Sequence, residues 1–267
     1  MSMVIRQIER RFEKIGARAR VVSASGRNAS ANIAIDIARD EEGEYFDIAL
    51  PRRQRPELLV LDARPRLRHL LLMARQDDEK SRFLCGHDER HWFVAAVPEK
   101  ASASNVKTAF EALRPPAVRS ALIRQKVRGK KRNRRRNAAF VRQGEWFFLP
   151  WHGQEFPRML VLRNEPLRRG GGKPHMCEEL VRVGGEVVYV SRDNPNGLTE
   201  TQYRRLLSRK PKLINAGWSM QRRNPGVFVR GRVRHADHKT IVLNGWHRVV
   251  MNTETEAKAM RHVMFID

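Results

Sequence analysis

Thiols are scarce in this sequence: Cys85 and Cys177 lie 92 positions apart, with no second cysteine near either. That spacing excludes a thiolate zinc cluster and argues against a disulfide framework, so a reducing, intracellular and cytoplasmic setting is expected. Long apolar runs are missing too. No stretch approaches 18 uncharged apolar residues, and the opening MSMVIRQIERRFEKIG is charged throughout where a secretory signal needs an apolar segment. No membrane partner is expected. Acidic side chains are the third shortage, since 29 Asp and Glu face 53 Lys and Arg, a formal charge of +24. An excess of that size exceeds what solubility requires and points to a polyanionic partner. Paired carboxylates, a nucleophile elbow and a dinucleotide-binding glycine fingerprint are all lacking in a convincing context, which leaves the familiar small-molecule enzyme classes without support.

What the chain does contain is unevenly placed. Residues 1 to 100 hold 19 basic and 16 acidic side chains, a net of +3, while the remainder holds 34 and 13, a net of +21. A compositional habit would spread evenly, so the asymmetry argues for a basic surface with a purpose. A hydrophobic fraction of 41% is enough to bury a core. Three parts are expected: a near-neutral mixed unit over 1–123, a basic linker or arm over 124–137, and a β-rich basic nucleic-acid-binding unit over 138–267.

The fold class expected is α+β, β-rich, with antiparallel sheets and a few short helices. Ile5, Ile8, Phe12 and Ile15 recur at helical spacing. Short alternating segments follow at 18–23, 32–38, 44–50, 57–62 and 68–74, then a hairpin in which 82–85 and 91–97 flank HDER. Helices are expected after Ser104, stopping at Pro115, and again over 117–125. In the second unit, strands are expected at 138–149 and 158–163, and a hairpin is expected in which MCEELVRV turns at Gly184-Gly185 and returns as EVVYV. Thr199 and Gln202 have capping-box spacing before a helix that ends ahead of Pro211. Final strands are expected at 227–234, 239–243, 247–251 and 262–266.

The strongest local signal is 124–136, RQKVRGKKRNRRR, with nine Lys or Arg in 13 positions and no acid. Arg124, Lys126, Arg128, Lys130, Lys131, Arg132, Arg134, Arg135 and Arg136 supply point charges and guanidinium forks suited to phosphate, and their mutual repulsion disfavours compact structure in isolation. Arg142, Arg168, Arg169, Lys173, Arg222, Arg223, Arg232 and Arg234 extend the candidate nucleic-acid surface. The run Trp146-Phe147-Phe148-Leu149-Pro150-Trp151 offers rings for base stacking, although strand alternation commits at least one set to the core. The run 168–175, RRGGGKPH, is a glycine turn enclosed by cations. It is no P-loop, because Pro174 follows Lys173 where Ser or Thr is needed.

Three of the nine histidines fall within 235–247, in RHADHK and WH. If the first pair borders a tight turn, His235, Asp237, His238 and His247 converge to bind a divalent metal or to set a general base, with His175 as a distant further participant. Against this, HxxH within a strand places the rings on opposite faces. Residues 86–91, GHDERH, read as a polar hairpin tip.

The leading expectation is a nucleic-acid-binding protein, RNA or single strands favoured because no helix-turn-helix or zinc-finger spacing indicates duplex readout. The second is a histidine- or metal-dependent nuclease acting on the bound strand; a divalent metal cofactor enters only with that reading. A third is a ribonucleoprotein subunit whose near-neutral unit meets other proteins of the complex.

Overall fold

The computed structural model describes residues 3–23, 33–51, 56–168 and 173–256. The expected class holds: among the described residues, four α-helices accompany sheets that are antiparallel except at one pair. No helix among the described residues is long and apolar enough to cross a membrane.

Helix α1 (Met3–Glu13) buries Ile8 and Phe12, one turn apart, and Ile15 continues their stripe just past its end. It lies on a three-stranded sheet in which β3 (Gly43–Leu50) is central, paired parallel to β1 (Arg18–Ser23) and antiparallel to β2 (Ala34–Asp40). Phe12 meets Phe46 of β3 at 4.9 Å between ring centroids. A four-stranded meander follows: β4 (Glu57–Arg64), β5 (His69–Gln76), β6 (Glu79–Asp88) and β7 (His91–Val97). Alternation divides its side chains between two cores. Leu70, Leu72, Phe83, Cys85 and Ala96 pack with α1 and the first sheet, while Leu71, Leu84, Ala95 and Val97 pack under α2 (Val106–Ala112). The unbroken run HLLLM in β5 is the sequence trace of that double burial. Asn105, not Ser104, caps α2, accepting the Thr108 N–H while Thr108 Oγ1 accepts from Asn105.

Helix α3 (Pro116–Arg124) has proline at its first turn, where the missing N–H costs nothing. Its Val118, Ala121 and Leu122 share a core with Phe140, Phe147 and Leu149 from the second half of the chain. That half is organised on a six-stranded antiparallel sheet built from β8 (Val141–Gln143), β9 (Trp146–Pro150), β10 (Leu162–Leu167), β11 (His175–Val183), β15 (Gly226–Arg234) and β16 (Ile241–Met251). The spatial order is β10-β11-β15-β16-β9-β8. Trp146 and Phe148 point into this sheet's core and Phe147 into the α3 core, so these three rings are consumed by packing on both faces, while Trp151 is left exposed.

Three expectations are corrected. Gly184-Gly185 does not close a hairpin: β11 pairs with β10 and β15, and β12 (Glu186–Ser191) leaves to pair with β13 (Asn194–Thr199) and β14 (Ser219–Arg223). Two consecutive positive φ values at these glycines turn the chain out of the large sheet. Segments 239–243 and 247–251 are one continuous strand, β16, that bends at Gly245 without ending. The strand expected at 138–149 is a tight hairpin folding at Gly144. The expected strand at 262–266 lies outside the described residues. Thr199 and Gln202 do form a capping box, on α4 (Glu200–Arg209).

Residues 124–136 form a folded strip, with a 3-10 turn over Gly129–Asn133. Arg114, 4% exposed, anchors it: its guanidinium donates to the Arg132 carbonyl at 3.0 Å and to Asn133 Oδ1 at 2.6 Å while pairing with Glu111. Glu111 also takes Arg132 at 3.1 Å. Replacing Arg114 by Met leaves two acceptors without their donor, at a cost of about 1–3 kcal/mol. The expected result is faster limited trypsin digestion within 129–136 than in the wild-type chain. An unchanged pattern of fragment masses would show that the strip keeps its shape without Arg114.

Candidate functional site

The end of β15, the start of β11 and the β8–β9 turn meet at one place. β11 opens with His175, whose register partner is Leu167 of β10, and β15 ends at Arg234, so the loop 235–240 begins beside His175. His235 and His238 therefore sit in a loop, where strand alternation no longer separates them. The ring centroids of His175 and His235 are 4.2 Å apart, those of His235 and His238 4.7 Å, and those of His175 and His238 5.7 Å, all stacked at similar tilt. One nitrogen from each ring lies within 4.8 Å of the others.

The loop is clamped from two sides. Gln143, 1% exposed, donates from Nε2 to the Lys239 carbonyl at 2.7 Å. Glu89, from the turn between β6 and β7, accepts the Lys239 N–H at 2.7 Å and places the same oxygen 3.8 Å from His238 Nδ1. Asp237 turns its own N–H onto His235 Nδ1 at 3.1 Å, and its carboxylate pairs with Lys173 at 3.0 Å. His91 of β7 stands 3.9 Å from that carboxylate, with its other nitrogen 2.5 Å from Glu44.

These surroundings lower the proton affinity of two of the three rings. Burial, reinforced by repulsion from His235 and His238, pushes the His175 imidazole down to about 3. Burial, followed by repulsion from His235, lowers His238 to about 4. Burial raises the Asp237 carboxyl, but the bond and charge of Lys173 outweigh it and hold the group below its ordinary range. His175 and His238 are therefore neutral, and competent as ligands, at neutral pH.

The cluster opens on a cavity of about 800 Å³ lined by both halves of the chain, with Asp36, Ile37 and Trp92 on one side and Phe140, Phe147 and the histidines on the other. Arg114, Arg132, Arg134 and Arg142 also face it. Two carboxylates at the hairpin tip neutralise part of this charge: Asp88 pairs with Arg135 and with Arg142, the latter at 3.2 Å, and Glu89 pairs with Arg135.

Of the residues expected to act, His235, Asp237 and His238 are brought together, and His175 is a full member of the cluster. His247 is not. Register sets it opposite Val229 and Pro150, roughly 15 Å back along β15 from the cluster, with Nδ1 3.0 Å from the Gly245 carbonyl. Arg124, Lys126, Arg128, Lys130, Lys131, Arg134 and Arg136 are exposed along the strip, whereas Arg132 and Arg135 are tied to acids. Arg168 is exposed beyond β10, and Arg169 lies outside the described residues. Arg222 donates to the Gly184 carbonyl, Arg223 pairs with Glu186, Arg232 with Glu178, and Arg234 donates to Asn164. None of these last four lines the cavity. Gln143 carries no signal in the sequence, and Glu89 and His91 read there only as part of a polar hairpin tip. The acid-rich hairpin tip facing an acid-poor half was the available signal for Glu89.

An unfolded imidazole takes up a proton near its ordinary value, whereas His175 and His238 resist until about 3 and about 4. The unfolded chain therefore binds more protons as pH falls, and stability declines with it, by up to about 1.4 kcal/mol per pH unit for each such ring. The urea midpoint is expected to drop between about pH 7 and about pH 5, and to drop less in His175→Gln. Equal slopes in the two proteins would mean that His175 is solvated and titrates normally.

No family model, curated protein or solved structure matches this chain, so its functional reading rests on the geometry above.

Proposed function

We propose that this chain binds nucleic acid, gripping the phosphate backbone along the strip 124–136 and leading a short segment into the adjoining cavity. The observation that carries the reading is the state of the strip. Seven of its nine cations are exposed on a structure already fixed by Arg114, Arg132 and Arg135. A backbone already in place loses little freedom when its cations meet phosphate, and counterion release favours each contact. A cavity of about 800 Å³ falls within the roughly 300–1,000 Å³ typical of small-ligand sites, so it suits a nucleotide or a short unpaired stretch and not a duplex. That supports RNA or single strands as the bound form.

A second reading, cleavage of the bound strand, is favoured by the histidine cluster at the cavity wall. Neutral imidazoles there are placed to take a proton from an attacking hydroxyl or water, or to hold a metal that polarises a phosphodiester.

Replacing Lys126, Arg128, Lys130, Lys131, Arg134 and Arg136 by Gln spares the two anchoring arginines and should leave the unfolding temperature unchanged. Anisotropy of a labelled single-stranded oligonucleotide across a salt titration should give the wild-type chain a log-log slope of about −4, at about −0.7 per neutralised phosphate. The variant should bind weakly with a slope near zero, and wild-type behaviour in it would remove the strip from the interface. The cleavage reading predicts that single-stranded RNA or DNA loses full-length material with Mg²⁺, Mn²⁺ or Zn²⁺, and that His238→Ala stops this loss while binding persists. Substrates left intact under every condition would remove cleavage and leave binding alone.

A further inference from the structure

We propose that His175, His235 and His238 hold one divalent transition-metal ion of the zinc class, and that Glu89 of the first half orients His238 for it, so that the site belongs to the folded whole. The inference goes beyond nucleic-acid binding and stands without it, because metal retention is measured with no nucleic acid present.

Three independent observations support it. The ligand nitrogens already lie within 4.8 Å of one another. Metal–nitrogen bonds of about 2.0–2.1 Å in a tetrahedron place ligand atoms roughly 3.3 Å apart, so the rings, now stacked, must turn their nitrogens toward one point to take up the ion. Second, both ring nitrogens of His175 and Nδ1 of His238 are buried with no hydrogen-bond partner. Buried polar atoms in folded proteins are almost always paired, so an ion at one nitrogen of His175 supplies a partner that this ring lacks, while His238 Nδ1 is left to face Glu89. Third, the backbone leaves room there. A Cβ on Gly144 would stand 2.9 Å from His238 Nε2 and 3.5 Å from His175 Nε2, so both atoms face the same bare α-carbon, whose φ of +57° itself favours glycine.

The nitrogens divide their work. With Nε2 of His238 committed to the ion, its proton moves to Nδ1, where the Glu89 carboxylate at 3.8 Å accepts it as the ring settles. His235 has to change most. Its Nδ1 accepts the Asp237 N–H, and that bond is given up whether Nδ1 itself binds the ion or takes the ring's proton so that Nε2 binds it. Three imidazoles without a carboxylate or thiolate select zinc, cobalt, nickel or copper over magnesium and calcium. Three protein ligands also leave a fourth position, on the cavity side, for water or substrate.

The test uses the full chain, free of any affinity tag, stripped with chelator and titrated with Co²⁺ alone. The expected result is one equivalent bound with the visible absorption of low-coordinate Co²⁺, displaced by Zn²⁺ and untouched by excess Mg²⁺. Zn²⁺ should also raise the unfolding temperature. His175→Gln and His238→Gln should lose the absorption, and Glu89→Gln should keep one equivalent with affinity weakened about 10- to 100-fold. A wild-type chain that gives no such absorption, or a folded His175→Gln that binds Co²⁺ as the wild type does, would overturn the proposal. Should both histidine variants fail to fold, the wild-type titration and Glu89→Gln decide it.

Discussion

The structure turns on two carboxylates at a hairpin tip. Asp88 and Glu89 project from the near-neutral first half and are 13% and 11% exposed, and between them they hold Arg135, Arg142 and the Lys239 amide of the second half. Ion pairs on an open surface contribute little. Ones this sheltered are costly to break, because a buried charge is then left without its partner. Glu89 accepts a left-handed backbone, φ 50°, which non-glycine residues seldom adopt, and its several partners hold it there. From this tip follow the position of the strip's last arginines, the clamp on the loop 235–240, and the closure of the cavity between the two halves.

A chain with a formal charge of +24 nevertheless maintains a patch where added positive charge is rejected. His175 and His238 sit among cations and among each other, and burial keeps their rings neutral. The basic strip and the histidine cluster are opposite uses of one environment. Exposed guanidiniums keep their charge and face outward, and enclosed imidazoles give theirs up and face one another.

Local rules made much of this legible. Thr199 with Gln202, the hairpin around HDER, and the apolar stripe through Ile8 and Phe12 each depend on neighbours within a few residues, and each reading held. Proximity in sequence also pointed to His235, Asp237 and His238. It failed for His247, because a bulged strand carried that residue along the sheet and away. It failed again at Gly184-Gly185, where a turn motif served to change sheets. Over 124–136, repulsion within the strip is offset by acids from elsewhere in the chain. Long-range complementarity leaves no period to detect. Glu89 and Lys239 are 150 positions apart.

The excursion of β12, β13, α4 and β14 leaves the large sheet after Val183 and returns at Gly226, and those two residues are register partners. Its entry and exit are thus adjacent, and the strands on either side already form a hairpin without it. Such a piece behaves as an appendix spliced into a loop. A lineage, or an engineer, can enlarge it, exchange it for another or cut it back to a short turn while β11 and β15 keep their pairing, and the ground on which the histidines stand stays as it was.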